Sequence, residues 1–231
     1  MVNIYESGEY AKTNPSFHER DSAWKSSKII EIMKRNGLQP KSVIEVGCGA
    51  GEILKFLQAS LEQDVELRGY DVSPQAFEIA DKKSNDKLTF FLGDVNSFVH
   101  ELKYDILLMI DVFEHVEDYI NFLRRTKDLA KKHIFHIPLD ISVQKVLRNK
   151  HHALRKTVGH IHYFTKDTAL QTLEQAGYKI TDYMYTAGGY ELPNRRFIQK
   201  LLSIPRKAFY KINKDICVRL LGGYSLMVLA E

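Results

Sequence analysis

Residues 43–52 read VIEVGCGAGE, an apolar run that contains one acid and runs into three glycines. The pattern predicts a buried strand ending in a glycine-rich turn that opens a helix. In open α/β sheets a ligand lies beyond the carboxyl ends of the strands, and glycines there let it approach the backbone. The dinucleotide fingerprint G-x-G-x-x-G would need glycine at position 52, which is Glu52. This departure disfavours a nicotinamide oxidoreductase.

The segments around this turn alternate between strand and helix patterns. Short runs rich in branched or aromatic residues predict five strands, at 42–46, 66–70, 89–92, 105–110 and 133–137. Ser73 and Pro74 begin a helix that reaches about residue 83, and Thr165 begins another that stops at Gly177. Alternation of this kind predicts a mostly parallel sheet with helices on both faces.

The two ends of the chain depart from the alternation. Two further strands are predicted at 178–185 and 224–229, and between them Pro205 is expected to separate two helical stripes. The stripes are formed by Phe197, Leu201 and Ile204, and by Phe209, Ile212, Ile216 and Leu220. Residues 1–17 show no periodicity, and a helix follows from about 18 to 35. We therefore expect an N-terminal lid or cap at 1–37 and a main domain at 38–231, with a basic helical insertion at about 194–220.

The N-terminal segment has two open interpretations. Its aromatic residues could fold over a bound cofactor as a lid, or they could only cover apolar surface as a docking arm. These residues are Tyr5, Tyr10, Phe17 and Trp24.

The charge is distributed unevenly along the 231 residues. The formal net charge is +4, but 194–220 carries +7 and 145–156 carries +5, which leaves −8 on the rest. Such basic segments suit an anionic partner. Cys48 and Cys217 lie far apart, which favours neither a disulfide framework nor a zinc site, and no metal is predicted. With a polar N-terminus and no long apolar run, we expect a cytoplasmic protein.

Acidic residues close the first four predicted strands. They are Glu45, Asp71, Asp94 and Asp111. A carboxylate can accept both hydroxyls of a ribose, and an acid can also accept from an exocyclic or an aliphatic amine. Four acids in register suggest a cationic ligand that bears ribose and amine groups, features that S-adenosylmethionine combines.

With these motifs the sequence resembles the class I S-adenosylmethionine-dependent methyltransferases over about residues 38–190. The matching segments are VIEVGCGAGEIL (43–54), GYDVSP (69–74), GDV (93–95), DVFEHVED (111–118) and GHIHYF (159–164). The resemblance implies a Rossmann-like seven-stranded sheet, mostly parallel, whose last strand at 224–229 is antiparallel. It implies S-adenosylmethionine as the cofactor.

The resemblance also implies roles for individual residues. The glycines would lie under the methionine part of the cofactor with Glu45 near its amino group, Asp71 would hold the ribose, and Asp94 with the Val95 amide would contact the adenine. The full set of implied cofactor residues is Glu45, Gly47, Cys48, Gly49, Gly51, Asp71, Val72, Asp94, Val95 and Asp111.

The pairing of D-V-x-E-H with a later H-x-H-Y-F is most similar to small-molecule O-methyltransferases of the quinone- and sugar-modifying type. A hydroxyl acceptor benefits from a base, worth about 10²–10⁴-fold when well placed. The favoured residue is His160, followed by His115 and His162, with His136 an outside candidate. Asp111 and Glu114 are also spaced as a helix capping box.

Other functions stay open at this point. A nucleic-acid methyltransferase is supported by the basic segments alone. Residues 111–114 lack the N/D-P-P-Y/F tetrad of the exocyclic-amine enzymes, and neither cysteine follows a proline, as the nucleophile of the C5-cytosine enzymes does. A third hypothesis is a non-catalytic relative that binds partners or lipid. The 194–220 segment could roof the acceptor site, lie on anionic lipid at the inner membrane surface, or contact nucleic acid. The 145–156 run favours an anionic acceptor, such as a nucleotide- or lipid-linked glycan.

Overall fold

The computed structural model describes residues 19–97, 103–188 and 197–231, and for 19, 20 and 197–203 it describes the backbone alone. Residues 1–18 of the predicted N-terminal lid, with Tyr5, Tyr10 and Phe17, lie outside these residues, as do Arg195 and Arg196. The predicted division of the chain at residue 37 stays a prediction.

Seven strands form one sheet in the order β3-β2-β1-β4-β5-β7-β6. The strands β1 to β5 run parallel to one another, whereas β7 is antiparallel to both β5 and β6. The bounds are β1 Ser42–Val46, β2 Glu66–Asp71, β3 Leu88–Leu92, β4 Tyr104–Ile110, β5 Ala130–Pro138, β6 Ile180–Thr186 and β7 Ser225–Ala230. The predicted strands are confirmed to within three residues at each end, and so is the antiparallel last strand.

Nine α-helices connect and flank the strands in the part of the chain that the structure describes. They are α1 Glu19–Arg35, α2 Glu52–Gln58, α3 Pro74–Asp81, α4 Tyr119–Thr126, α5 Val143–Leu147, α6 Lys150–Thr157, α7 Lys166–Gln175, α8 Phe197–Ile212 and α9 Lys214–Leu221. Among these residues, no helix is long and apolar enough to cross a bilayer.

The core lies on both faces of the sheet because successive strand residues point to opposite sides. On one face Leu107 and Met109 of β4 join a buried cluster with Leu173 of α7 and Cys217 of α9. On the other face, β4 contributes Leu108 to a cluster that includes buried residues of α1 and α2. The prediction of helices on both faces is therefore confirmed.

The predicted break at Pro205 is wrong, since α8 continues through this residue. Proline removes one helical hydrogen bond and clashes with the preceding turn, at a cost of roughly 3 kcal/mol. Contacts after the proline oppose that cost: the Arg206 guanidinium donates to Leu221 O, and the Tyr210 ring stacks on Tyr224 with centroids 5.1 Å apart. Packing on α9 and on the residue before β7 thus holds the helix together.

Candidate cofactor and active site

The glycine turn after β1 has a conformation that only glycine adopts without strain. Gly47 has φ +73°, and a Cβ on it would lie 2.7 Å from Val112 Cγ2. Gly51 has φ +78°, and a Cβ there would lie 2.5 Å from Phe90 Cζ. The Gly47 amide donates to Tyr70 O at 2.8 Å, which fixes the turn against the end of β2. The positive φ angles and the close contacts therefore require glycine at these positions, so the turn presents backbone at this edge of the sheet, as the motif predicts.

Asp71, the last residue of β2, is held by two backbone amides. Gly49 N donates to its Oδ2 at 2.7 Å and Ser73 N donates to its Oδ1 at 2.8 Å. Burial raises the pKa of the Asp71 carboxyl, and the amides of Ser73 and Gly49 oppose that rise. Each oxygen keeps a further lone pair, so the oriented carboxylate can also accept ribose hydroxyls. Val72 follows it, half-buried.

Glu45 lies near the end of β1 and is buried. Its Oε2 has no hydrogen-bond partner among the described residues. Burial raises the pKa of its carboxyl well above the usual range, and the positive charge of Lys25 acts against that rise. A buried polar atom without a partner needs one. The cationic amino group of the expected cofactor would supply such a partner.

Cys48 and Asp94 complete the predicted cofactor edge in different ways. The Cys48 thiol is buried, and burial raises its pKa, which suits packing rather than reactivity. Asp94 Oδ1 accepts from the backbone N of Asn96 at 3.0 Å and from its Nδ2 at 2.8 Å. Asp94 Oδ2 accepts no hydrogen bond from the described residues, so it is the oxygen left for an adenine amine. The next residue, Val95, is buried. The cofactor roles of these residues stay predictions.

Asp111 follows β4 in a left-handed conformation, with φ +56°. Its Oδ2 lies 2.9 Å from Lys25 Nζ, and its Oδ1 lies 2.6 Å from His136 Nδ1. His136 Nε2 lies in turn 2.8 Å from Thr186 Oγ1. The predicted capping box is wrong, because the 3₁₀ turn at Phe113–His115 has no side-chain cap and Asp111 faces Lys25 and His136 instead.

The Lys25–Asp111 ion pair controls the charge of both groups. Burial would lower the pKa of Lys25, but Asp111 and Asp21 raise it above the usual value. Burial would raise the pKa of Asp111, but His136 and Lys25 lower it below the usual range. Both groups are therefore charged at neutral pH. Lys25 was not found from the sequence, where its spacing of four from Asp21 is the one signal that marks it.

His115 and His160 meet at a third residue, Glu114. Glu114 Oε1 lies 3.9 Å from His115 Nε2 and 4.0 Å from His160 Nε2. On the far side of each ring, His115 Nδ1 lies 3.1 Å from Gly159 O and His160 Nδ1 lies 2.6 Å from an oxygen of Asp140. The structure thus brings together two of the three favoured histidines. We call Glu114, His115 and His160 the Glu–His–His cluster.

Asp140 was not found from the sequence, since no motif marked it. Burial would raise the pKa of this carboxyl, but the hydrogen bonds with His160 and Lys145 lower it. It is therefore a carboxylate, and it fixes the His160 ring with Nδ1 as the donor.

His162, the third predicted histidine, has a different environment. Its Nε2 donates to Val116 O at 3.0 Å, and its ring lies against Tyr119 with centroids 4.4 Å apart. It joins the loop that carries His160 to the segment after the 3₁₀ turn. Its predicted role in catalysis is left untested.

Comparison with known proteins agrees with this geometry. The profile of the methyltransferase domain family matches residues 17–183. A ubiquinone biosynthesis O-methyltransferase of Vibrio cholerae is 26% identical over 123 residues, which are 50% of this chain and 49% of that protein. The match thus spans about half the length of this curated relative.

Two solved structures share the fold at low sequence identity. A chain from a Haloferax volcanii complex that contains the Trm112 methyltransferase activator superposes with a TM-score of 0.67 at 14% identity, covering 100% of this chain and 96% of that one. Magnesium protoporphyrin IX methyltransferase from Synechocystis, solved with bound SAH, gives a TM-score of 0.59 at 17% identity and covers 90% and 82%.

The family match covers most of the chain and includes the glycine turn, Asp71 and the Glu–His–His cluster. The sheet order and the antiparallel last strand agree with it. The chain belongs to the class I methyltransferases, whose cofactor is S-adenosylmethionine.

Proposed function

We propose that this chain transfers a methyl group from S-adenosylmethionine to a hydroxyl oxygen of a small-molecule acceptor. The observation that carries the proposal is the Glu–His–His cluster, in which Glu114 is buried and both histidines are half-buried, at the sheet edge that also bears Glu45 and Asp71. A hydroxyl acceptor needs such a group of residues beside it, because the hydroxyl proton must leave as the oxygen is methylated.

The cofactor side of the site has a defined set of residues. When bound, S-adenosylmethionine supplies an electrophilic methyl group on a sulfonium. Asp71 is oriented by the Gly49 and Ser73 amides to accept the ribose hydroxyls, and Glu45 accepts from the amino group. The protein's main task is then to position acceptor and methyl group in line.

The relatives support oxygen as the atom that is methylated. The Vibrio cholerae protein carries the name of an O-methyltransferase, and a second relative with the same name, from Actinobacillus pleuropneumoniae, is 29% identical over 107 residues. Neither match reaches two thirds of either protein, so the identity of the acceptor does not transfer. We retain the acceptor class, a hydroxyl-bearing small molecule or glycan.

A surface formed by α5, α6, α8 and α9 supports a site of action at the membrane. These helices contact one another in series, α6 with α5, α5 with α9 and α9 with α8. Leu147 is 81% exposed and Ile212 is 82% exposed on this surface. Eight basic residues there are exposed: Arg148, Lys150, Arg155, Lys156, Lys207, Lys211, Lys214 and Arg219. We call it the apolar–basic surface.

Apolar side chains among exposed cations are the composition of a segment that lies on anionic lipid. We propose that the apolar–basic surface contacts the inner face of a cytoplasmic membrane and that the acceptor is anionic or lipid-linked. The basic residues also suit nucleic acid, which is the second candidate partner and an outcome of the test below.

The first experiment is calorimetric titration with S-adenosylmethionine, S-adenosylhomocysteine and NAD. We expect micromolar affinity for the first two ligands, no heat with NAD, and loss of binding in Asp71→Ala. Asp64→Ala, at an exposed acid in the loop before β2, is the control and should bind as the unmodified chain does. Absence of binding to the unmodified chain would contradict the proposal.

The class of acceptor is tested by following the transfer of a labelled methyl group from S-adenosylmethionine. Mono- and dihydroxybenzoates serve as small hydroxyl acceptors, and a short RNA serves as the competing class. Label on the phenolic oxygen supports the proposal, whereas label confined to the RNA would replace it with a nucleic-acid methyltransferase.

A further inference from the structure

Glu114 is a fully buried carboxyl whose two oxygens have no hydrogen-bond partner among the described residues. An isolated buried carboxylate is costly, so such a group is found protonated, paired with a cation or bound to a metal. What surrounds its oxygens therefore decides its role.

Two imidazole nitrogens face this carboxyl. The ligand atoms of Glu114, His115 and His160 all lie within 4.8 Å of one another. Two ligands that bind one cation at about 2.1 Å with a tetrahedral angle are separated by about 3.4 Å. The observed 3.9 and 4.0 Å gaps from Glu114 Oε1 to the two Nε2 atoms are thus about 0.5 Å wider, which small side-chain rotations would close.

The outer side of each ring is arranged as in metal-binding histidines. A carbonyl and a carboxylate accept hydrogen bonds, so the Nδ1 atoms of His115 and His160 carry the protons that face Gly159 O and Asp140. In neutral rings the lone pair is then on Nε2, the atom that faces Glu114. Carbonyl and carboxylate partners of this kind fix the ring and raise its basicity as a ligand.

The backbone holds the two ligand-bearing segments together before any ion is bound. The amides of Ile161 and His162 donate to Glu114 O at 3.0 and 3.1 Å. This ties the loop that carries His160 to the 3₁₀ turn that carries Glu114 and His115. The donor set is therefore assembled from two chain segments at one point of the carboxyl edge.

We propose that Glu114, His115 and His160 bind one divalent first-row cation, of the class of Zn²⁺, Fe²⁺, Co²⁺ or Mn²⁺. One carboxylate and two imidazoles suit these ions, and three protein ligands leave positions open for a further oxygen. This departs from the sequence-based expectations of no metal and of His160 as a base.

The role of the cation rests on the proposed function. The acceptor hydroxyl binds at an open position, where the cation lowers its pKa and the proton leaves to water. The oxygen then bonds to the methyl carbon while the carbon–sulfur bond breaks, and sulfur keeps the electron pair. His160 is a ligand in this scheme, and Asp140 is a positioning residue.

The test begins with cation binding in the absence of cofactor and acceptor. The untagged chain is treated with a chelator, dialysed and titrated with Co²⁺, with heat and the visible d–d absorption of Co²⁺ as readouts. We expect one Co²⁺ per chain, and Zn²⁺ should displace it.

Variants locate the site. Glu114→Gln and His160→Gln should each weaken Co²⁺ binding at least a hundredfold, and Asp140→Asn should weaken it by about 10- to 100-fold while all three ligands remain. His152→Gln, at an exposed histidine of α6, is the control and should bind normally. Far-ultraviolet circular dichroism confirms that each variant is folded. No binding to the unmodified chain, or equal binding to Glu114→Gln and His160→Gln, would overturn the proposal.

A second measurement separates this site from the proposed function. Chelation should abolish methyl transfer to the hydroxybenzoates and leave S-adenosylhomocysteine affinity unchanged, and Co²⁺ or Zn²⁺ should restore transfer. Full transfer after chelation would leave His160 as the base and overturn the cation's role. Cation binding without transfer to any acceptor would contradict the proposed function and leave the site standing.

Discussion

Lys25 Nζ of α1 lies 2.9 Å from Asp111 Oδ2, so the first helix is joined by an ion pair between a buried lysine and a partly buried aspartate to the carboxyl end of β4. Lys25 also contacts Asp21 on its own helix at 3.3 Å and acts electrostatically on Glu45. The helix is thus electrostatically coupled to the edge at which we propose that the cofactor binds.

Removing this lysine should destabilise the fold strongly. Among the described residues, Lys25→Met leaves Asp111 with His136 as its remaining ionisable contact. Breaking a fully buried pair on one side costs about 3–5 kcal/mol, and we expect a loss toward the lower end of that range because Asp111 is partly exposed. The free energy of unfolding in urea measures the loss. Adding Asp111→Asn to Lys25→Met should recover part of it, since the uncompensated charge is gone.

The control for that experiment is a surface lysine. Lys55 is 55% exposed and lies 3.6 Å from Glu52, so Lys55→Met should cost less than about 1 kcal/mol. Equal effects of the two substitutions would show that the Lys25–Asp111 pair contributes nothing beyond an ordinary surface pair.

Gly47→Ala should abolish cofactor binding and destabilise the chain. The added Cβ combines left-handed strain with a 2.7 Å approach to Val112, so the turn must move. Gly37→Ala is the matched variant, since Gly37 has φ +64° and nothing lies within 4 Å of the added Cβ. It should show the strain alone, about 1–2 kcal/mol, with normal S-adenosylhomocysteine affinity in calorimetry. Normal affinity in Gly47→Ala would mean that the turn is not part of the cofactor site.

His133 of β5 should make stability depend on pH. Burial lowers the pKa of His133 to about 4, while the nearby backbone of Thr126 and Lys127 and the charge of Asp128 act against that fall. The unfolded chain binds this proton near pH 6.5, so the contribution is complete above pH 6.5 and declines as the pH falls toward 4. The loss should be about 1.4 kcal/mol at pH 5.5 and about 3 kcal/mol below pH 4.

The test compares urea unfolding of the unmodified chain and His133→Phe at pH 7.5, 5.5 and 4.5. Phenylalanine keeps an aromatic ring beside Tyr178, whose centroid is 4.9 Å from that of His133. The unfolding free energy of the unmodified chain minus that of His133→Phe should decrease as the pH falls, because only the unmodified chain carries the titrating histidine. A difference that is the same at all three values would exclude the titration of His133 as its source.

Leu147→Glu and Ile212→Glu should each reduce binding to anionic vesicles about tenfold or more, because burial of one such side chain is worth about 1.5–3 kcal/mol. Sedimentation with phosphatidylglycerol-containing and purely zwitterionic vesicles provides the measurement. Phe56→Glu is the control: Phe56 is 38% exposed on α2, whose buried residues join the opposite face of the sheet. Binding that all three substitutions leave unchanged would remove the lipid contact from the proposal.

The sheet could be predicted from the sequence because its signals are local. Each strand is a short apolar run bounded by turn residues, and the glycine turn fixes where the first strand ends. The continuation of α8 through Pro205 could not be predicted, because it depends on contacts that Arg206 and Tyr210 make with residues distant along the chain.

The candidate site divides in the same way. Glu45, Asp71 and the glycines lie in contiguous motifs, and His115 and His160 are found because they stand in two recognisable segments. Asp140 stands in no motif and Lys25 is marked only by its spacing of four from Asp21, so only the folded chain brings them to His160 and Asp111. Partners made by tertiary contact leave no periodic signal.

The position of β7 between β5 and β6 has a consequence for biosynthesis. In the described sheet β6 pairs with β7 alone, and β7 is the last of the seven strands in chain order. On the ribosome, residues 180–186 emerge before 225–230 and have no strand to pair with until translation passes residue 230. During that interval β6 presents unpaired backbone groups, so it is the segment on which we expect a nascent-chain chaperone to act.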